Sequence, residues 1–224
     1  MPAVTISAGY GAGGSVVAPR LAQRLGYPLL DRAISSRIAK QLHVSVDEAE
    51  CGEKKRSVVE KFFGVLAPVA GGVVAVDADG APALLSPDDV AQFREQAEAI
   101  IRQALPTGVV VLGRAGSAAL AREPDVLRVR LFGPSDARIR QACQVEGIDA
   151  DDAATRLPEV DRARAHYVRR LYSRDIDDPA LYHLQIDSTA VGLDGCVEVI
   201  TDAYHALLGQ KPNLASGSTS SVSS

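Results

Sequence analysis

The 224-residue sequence predicts an α/β protein in which helices cover both faces of a parallel sheet. Short apolar segments alternate along the chain with segments of helical periodicity, which is the order that builds parallel sheets. Apolar residues fill the segment at 109–112, as is typical of a strand buried on both faces. Polar features follow three of the predicted strands, at the edge where open α/β sheets bind their ligands.

The first two strands flank a helix. A buried strand is predicted at 4–8 and an amphipathic helix at 14–25, with a glycine-rich turn between them. A short second strand follows at 27–31. Asp31 comes directly after it and is placed to cap a helix that runs to about residue 42.

The middle of the chain is predicted to be mainly helical. A capping box, S-x-x-E, opens a helix over 45–63. The segment 67–86 is rich in Gly, Ala and Pro and predicts a loop or a small hairpin. The sequence Ser-Pro-Asp-Asp then starts a helix over 86–105, because it offers a cap, a proline in the first turn and early acidic residues.

The last part of the chain continues the alternation. Ser135 is expected to cap the first helix of this part, and Gly209 closes the last one. The tail from residue 213 is rich in Ser, Thr and Gly and is predicted to be disordered, which leaves one domain at 1–212. The predicted elements are strands at 109–112, 127–132 and 183–187 and helices at 136–146, 149–173 and 193–207.

Composition limits the classes of function. The net charge of −4 gives no overall positive field for nucleic acid. Three cysteines, Cys51, Cys143 and Cys196, are odd in number and far apart, which indicates neither a disulfide framework nor a zinc site. Neither a leader pattern nor an apolar run of membrane-spanning length is visible. We therefore expect a cytoplasmic protein that binds neither nucleic acid nor membranes. The size of the chain is compatible with a homodimer.

The stretch SAGYGAGGSV at 7–16 is the strongest candidate site. It lies between a strand and a helix, where backbone N–H groups and the helix dipole favour a phosphate group. A phosphate loop of the P-loop type reads G-x-x-x-x-G-K-[ST]. Gly13 and Ser15 fit that pattern, but Ala8 replaces its first glycine and Gly14 replaces its lysine. The alternative interpretation is a structural turn.

Four segments together resemble the cytidylate-kinase-like family, which is related to bacterial CMP kinases. The resemblance extends over about residues 4–208. It implies a three-layer P-loop kinase fold with a core, a helical insert at about 44–105 that binds the nucleoside monophosphate, and a lid at about 138–175. The segments are SAGYGAGGS, YPLLDRAISSR, VVVLGRAG and the closing DRARAHYVRRLYSRDIDDP…IDSTAVGLD.

The resemblance also implies a site for ATP, Mg²⁺ and an acceptor nucleotide. The loop would hold the ATP phosphates, and Ser15 would contact the metal ion. Residues at the ends of the next two strands would hold the acceptor, and arginines of the lid would act on the transferring phosphoryl group. The implied residues are Gly9, Gly11, Ala12, Gly13, Gly14 and Ser15 in the loop, Asp31, Arg37 and Arg114 at the acceptor, and Arg138, Arg162 and Arg164 as the catalytic lid arginines.

Three positions depart from CMP kinases. Gly14 replaces the lysine, Leu112 the aspartate before Gly-Arg, and Ala115 the acid that reads cytosine. Our leading hypothesis is transfer of the ATP γ-phosphoryl group to a nucleoside monophosphate such as CMP or dCMP. The departures leave two alternatives: a degenerate nucleotide-binding sensor or interaction module, and a kinase for a non-nucleotide acceptor.

Several residues have a structural alternative beside the functional one. Asp31 is equally suited to helix capping and to substrate contact, and Ser15 to a first helical turn and to metal contact. Tyr10 is expected to pack rather than to stack on a base. Arg20 is not expected to replace the lysine. Some arginines of 161–175 are expected to be surface charges that pair with Asp161 or Asp175.

Overall fold

Five parallel strands form the sheet of the computed structural model, which describes residues 2–31, 87–113 and 115–209. Their order is β2-β3-β1-β4-β5, so β1 is central, with β3 and β4 as its neighbours. The α/β class and the parallel sheet are thereby confirmed. The strands are β1 (Ala3–Ala8), β2 (Leu29–Leu30), β3 (Val109–Leu112), β4 (Val126–Phe132) and β5 (Leu184–Asp187).

Seven α-helices lie in the described residues, five of them long and two short. The long helices begin and end within two residues of the prediction, and two short helices, α3 and α6, were not predicted. They are α1 (Gly14–Leu25), α2 (Pro87–Ala104), α3 (Gly116–Ala119), α4 (Ser135–Glu146), α5 (Ala150–Tyr172), α6 (Ser188–Val191) and α7 (Leu193–Gly209).

The cap predicted for α4 is wrong. Pro134 has extended dihedral angles and occupies the N-cap position, so Ser135 is the first helical residue and its side chain caps nothing. The next helix begins as expected for a side-chain cap, because Asp149 accepts a hydrogen bond from the amide of Asp152. The cap at Pro134 places the start of α4 one residue earlier than the serine suggested.

The core lies on both faces of the sheet. On one face α1 and α7 cover β1 and β4, and Ile6, Leu21 and Ile200 are almost completely buried there. On the other face α2 and the end of α5 pack over β3, where Ile101 and Val111 are inaccessible to solvent. Burial of one such side chain contributes about 1.5–3 kcal/mol, so this two-sided packing fixes the strand ends that carry the candidate site.

Cysteine reactivity gives a test of this packing. Cys196 is completely buried, and burial raises the pKa of its thiol to about 11, with a smaller effect from the Asp187 charge. At pH 8 only about one thiol in a thousand would then be the reactive thiolate. Cys143 is only partly buried. We expect iodoacetamide to label Cys143 well before Cys196 in peptide mass spectra at pH 8, and labelling at equal rates would contradict the described core.

Several sequence predictions concern parts of the chain outside the described residues. They are the helices at 31–42 and 45–63, the segment 67–86, the cap at Ser86, the acceptor arginines Arg37 and Arg114, and the tail at 213–224. Where the structure describes the chain, none of the helices combines the length and the apolarity that crossing a bilayer requires.

Candidate phosphate-binding site

The glycine loop connects the central strand β1 to α1 in a tight turn. Gly11 and Gly13 have left-handed φ angles of 71° and 74°, a conformation that favours glycine. The Ala12 amide donates to the Gly9 carbonyl at 3.1 Å, and Gly13 occupies the N-cap position of α1. The loop therefore turns within five residues and directs α1 at the space beyond the sheet edge.

Four loop amides have no acceptor within the described parts of the chain. They belong to Gly11, Gly13, Gly14 and Ser15. The first amides of a helix lack intrahelical partners, and the helix dipole adds a positive potential at the same place. Such a group of amides binds phosphate or another anion without a charged side chain. The structure thus brings all six predicted loop residues, 9 and 11–15, into one turn with anion-binding geometry.

Two loop glycines are contacted closely by the rest of the protein. A Cβ on Gly11 would lie 2.2 Å from the backbone oxygen of Arg138, and one on Gly13 would lie 2.2 Å from Cδ2 of Leu193. Heavy atoms in proteins do not approach each other so closely. At Gly11 both the φ angle and a fixed backbone atom exclude a side chain, whereas at Gly13 the left-handed φ angle favours glycine and Leu193 would have to shift to admit a Cβ.

The residue types at positions 8 and 14 depend on each other for steric reasons. A Cβ on Gly14 would lie 2.7 Å from the Ala8 Cβ and 3.2 Å from Cδ1 of Leu112. The methyl group of Ala8 therefore occupies the room that the start of a lysine side chain would need. The two departures from the P-loop pattern are a single steric exchange: the loop has lost the lysine and has gained a methyl group where the pattern has glycine.

Side chains from three helices hold the loop carbonyls. The carbonyl groups of four residues between positions 8 and 12 each accept a hydrogen bond from a side chain of α4, α5 or α6. Carbonyls held in this way leave the amides of the same turn as the polar groups without a partner in the described residues. The bonds are Arg164 to Ala8 at 2.6 Å, Arg138 to Tyr10 at 3.0 Å, Gln141 to Gly11 at 2.9 Å and Ser188 to Ala12 at 2.9 Å.

Arg138 lies against the loop in a partly buried ion pair. Its side chain is 12% exposed, donates from Nε to the Gly133 carbonyl, and forms a 2.7 Å bond with Asp161. The other carboxylate oxygen of Asp161 accepts the Tyr10 amide at 2.7 Å. Arg138 and Asp161 together therefore clamp the two peptide units on either side of the Tyr10 Cα.

The other two predicted lid arginines differ in position. Arg164 is partly buried and reaches the end of β1 through the Ala8 carbonyl. Arg162 is exposed and, two residues earlier on the same helix, is rotated from Arg164 by about 160°. The structure thus brings Arg138 and Arg164 to the loop but not Arg162. Arg169 pairs with Asp175 at 3.8 Å on the surface, which confirms the expected surface pair.

Other strand ends complete the edge of the sheet. Asp31 directly follows β2 and is partly buried. After β3, Gly113 donates its amide to the Ile6 carbonyl at 2.8 Å, and Ala115 has a left-handed φ of 52°. This conformation costs a non-glycine residue about 1–2 kcal/mol, and such strain concentrates at functional sites. Arg20 pairs with Asp194 of α7 and lies away from this edge.

Tyr10 packs, as the sequence analysis favoured. Its side chain is 7% exposed, and its hydroxyl donates to Oε2 of Glu146 at 2.9 Å. Burial raises the pKa of the phenol, and the neighbouring Glu146 raises it further. Tyr10 thus lies with its ring in the protein interior and does not project from the loop.

Asp161, Gln141 and Ser188 were not identified from the sequence. Each contacts a residue of the loop that is more than 120 positions away, at 151, 130 and 176 residues respectively. No local motif marks them, because their role depends on the packing of α4, α5 and α6 against the loop. Asp161 and Ser188 lie in the segment that carried the family resemblance, whereas Gln141 lies outside the quoted segments.

Comparison with known proteins finds one relative by sequence and solved structures with similar folds. A cytidylate kinase from Methanopyrus kandleri is 28% identical over 116 residues, which are 48% of this chain and 60% of that relative. A solved protein of Eubacterium ventriosum, described as uncharacterized, shares the fold with a TM-score of 0.63 and 19% identity over 92% of this chain and 98% of its own. A gluconokinase from Sinorhizobium meliloti aligns over 94% of this chain and 98% of its own, with a TM-score of 0.47 and 15% identity.

A family model matches most of the chain. The model of the cytidylate kinase-like family matches residues 3–190, which include the glycine loop, every described strand and the helices α1 to α5. The first relative, by contrast, is matched over 60% of its length. The family match covers most of the chain and includes the candidate site. The chain belongs to the cytidylate kinase-like family.

Proposed function

We propose that this protein transfers the γ-phosphoryl group of MgATP to a nucleoside monophosphate, with CMP and dCMP as the first candidates. The observation that carries the proposal is the group of four unbonded amides at the start of α1, directly after the central strand. Family membership supplies the class of reaction. Phosphoryl transfer requires alignment and positive charge rather than covalent chemistry, and this edge of the sheet offers both.

The loop residues fit the donor nucleotide. The amides of Gly11, Gly13 and Gly14 would hold its phosphate oxygens. The side chain of Ser15 is exposed in the first turn of α1 and would hold Mg²⁺. The metal ion supplies charge neutralisation for the phosphate oxygens.

The acceptor is assigned to the neighbouring strand ends. Asp31 follows β2, and Arg37 and Arg114 would bind the acceptor phosphate through their planar guanidinium groups. The insert at about 44–105 would cover the bound acceptor, and the lid at about 138–175 would cover the donor phosphates. The proposal includes a cytoplasmic location.

Arg164 is the proposed replacement for the missing lysine. Its guanidinium lies 2.6 Å from the Ala8 carbonyl, at the first position of the loop, whereas Ala8 itself closes the lysine position. Arg138 is assigned a different role, since its bonds to Asp161 and Tyr10 hold the loop in place. Arg162 has no part in this assignment because it lies on another face of α5.

Replacement of Arg164 tests this assignment. Loss of one cationic contact to the transition state commonly lowers kcat by about 10²–10³-fold. We expect Arg164→Ala to lower kcat by that amount, while Arg162→Ala, on the same helix, changes it by less than about threefold. Steady-state ADP formation measures both variants. Equal effects of the two substitutions would contradict the role of Arg164.

The activity itself is tested by ADP formation from MgATP with CMP, dCMP, UMP, AMP, GMP or no acceptor. Acceptor-dependent ADP supports the proposal and identifies the substrate. Gly14, Leu112 and Ala115 motivate the second candidate, a nucleotide-binding sensor without catalysis. MgATP binding by calorimetry without turnover on any acceptor would favour that candidate or a kinase for a non-nucleotide acceptor.

A further inference from the structure

Tyr10 belongs to a hydrophobic cluster that is otherwise built by two helices. The cluster lies between α4 and α5, in the part of the hairpin at residues 139–160, which we call the hairpin tip. Tyr10 is the member of this cluster that comes from the phosphate loop. The buried members are Tyr10, Ala142, Ala153 and Val160, and the partly buried ones are Ile139, Cys143, Ile148 and Leu157.

The polar groups of Tyr10 are bound to the same hairpin. Its hydroxyl donates to Glu146, the last residue of α4. Its amide donates to Asp161 at 2.7 Å, and its carbonyl accepts from Arg138 at 3.0 Å. The ring, the hydroxyl and both backbone groups of one loop residue are thus held by α4 and α5.

The glycines beside Tyr10 permit this approach. A Cβ on Gly9 would lie 2.7 Å from a guanidinium nitrogen of Arg138, and one on Gly11 would lie 2.2 Å from the Arg138 backbone oxygen. The sequence Gly-Tyr-Gly therefore fits the contact with α4 as well as a bound phosphate. The two flanking glycines have no side chains that could anchor the loop. Packing of the Tyr10 side chain in the cluster therefore restricts the loop backbone at this point.

We propose that Tyr10 is a positioning residue through which the hairpin tip holds the phosphate loop in its amide-outward shape. In a loop without the lysine at position 14, this contact adds to the restraint that Arg164, Gln141 and Ser188 place on the backbone. The loop and the hairpin tip then open and close as one cooperative unit. Where nucleotide binding is concerned, this inference rests on the proposed function.

Hydrogen exchange of the protein without nucleotide tests the inference directly. We expect Tyr10→Ala to accelerate exchange of the hydrogen-bonded amides within 9–16 and 139–160 by about tenfold or more, because both sides of the contact lose it. Tyr10→Phe keeps the ring and should remain within about threefold of the parent protein. Tyr10→Leu keeps a large apolar side chain. It takes the place of Tyr10→Ala in the comparison if the alanine variant does not fold.

Two controls separate positioning from a loss of stability. Leu21→Ala empties a completely buried site between α1 and the sheet and destabilises the whole protein. Tyr27→Phe removes a hydroxyl bonded to Tyr204 at 2.9 Å, and it matches Tyr10→Phe. Faster exchange confined to the loop and the hairpin tip, unlike the general acceleration in Leu21→Ala and absent from Tyr27→Phe, supports the inference. A Tyr10→Ala or Tyr10→Leu pattern like that of Leu21→Ala, or a change in the tip alone, would overturn it.

Addition of MgADP gives a second readout. This readout would not depend on Tyr10 if the residue only filled space in the hydrophobic cluster. In the parent protein we expect nucleotide at the loop to slow exchange in the hairpin tip by several-fold, and Tyr10→Ala should abolish this effect at saturating nucleotide. Slowing that persists in Tyr10→Ala would overturn the coupling. If the parent protein does not bind MgADP, the proposed function fails, and the exchange experiment without nucleotide still decides the role of Tyr10.

Discussion

Replacement of Gly11 by alanine is expected to lower the free energy of unfolding by about 3 kcal/mol or more and to abolish MgATP binding. The added Cβ would lie 2.2 Å from a backbone oxygen of Arg138, which no side-chain rotation can move away. The left-handed φ of 71° adds about 1–2 kcal/mol of strain. Denaturation in urea followed by circular dichroism measures the stability, and calorimetry measures the binding.

Gly26 provides a matched control for this substitution. It has a left-handed φ of 68° at the end of α1, and a Cβ there would meet no atom within 4 Å. We expect Gly26→Ala to lower the free energy of unfolding by only about 1–2 kcal/mol and to preserve binding. The difference between the two variants isolates the contact with α4. Equal losses of stability would show that the loop is not packed against Arg138 as described.

Insertion of the P-loop lysine at position 14 is expected to be destabilising unless Ala8 is changed as well. Gly14→Lys forces its Cβ against the Ala8 methyl, and overpacking of this kind costs about 1–3 kcal/mol. Ala8→Gly removes that methyl at a cost of about 0.5–1 kcal/mol for glycine in a strand. We expect the double variant to be more stable than the sum of the single changes by about 1–2 kcal/mol.

The same double variant tests the role of Arg164 in catalysis. Its loop completes the pattern G-x-x-x-x-G-K-S, so a lysine can bind the phosphates and Arg164 becomes less necessary. Arg164→Ala lowers kcat by some factor in each background. We expect this factor to be at least ten times smaller in the double variant than in the parent protein. Additive losses would contradict the replacement of lysine by Arg164. Strictly additive stabilities in the cycle of Ala8 and Gly14 would contradict the steric exchange.

The fold was predictable because its signals are local. The apolar segment at 109–112 and the alternation of strands with helices gave the parallel sheet, and the glycines at 11 and 13 gave the turn after β1. The boundary error at Ser135 arose between two adjacent residues that both favour a helix start. The short helices α3 and α6 have four residues each, too few for periodicity to show.

The site was predictable only where its residues are close in sequence. The loop amides follow from one strand, one turn and one helix, all within residues 3–25. The clamp of Arg138 and Asp161 depends on contacts of α4 and α5 with the loop. Both residues are more than 120 positions from Tyr10 along the chain, so no local pattern encodes these contacts. Likewise, the link between Ala8 and Gly14 became visible only from the 2.7 Å distance between their β positions.

The central claim is that a loop without its lysine binds phosphate through backbone amides. Titration of ¹⁵N-labelled protein with MgATP, followed by amide NMR, tests it most directly. We predict that the largest shifts are those of the Gly11, Gly13, Gly14 and Ser15 amides, with the same shifts absent in Gly11→Ala. Saturable binding that leaves these amides unchanged, or that shifts residues of the α1–α7 surface around Arg20 and Glu198 instead, would contradict the account.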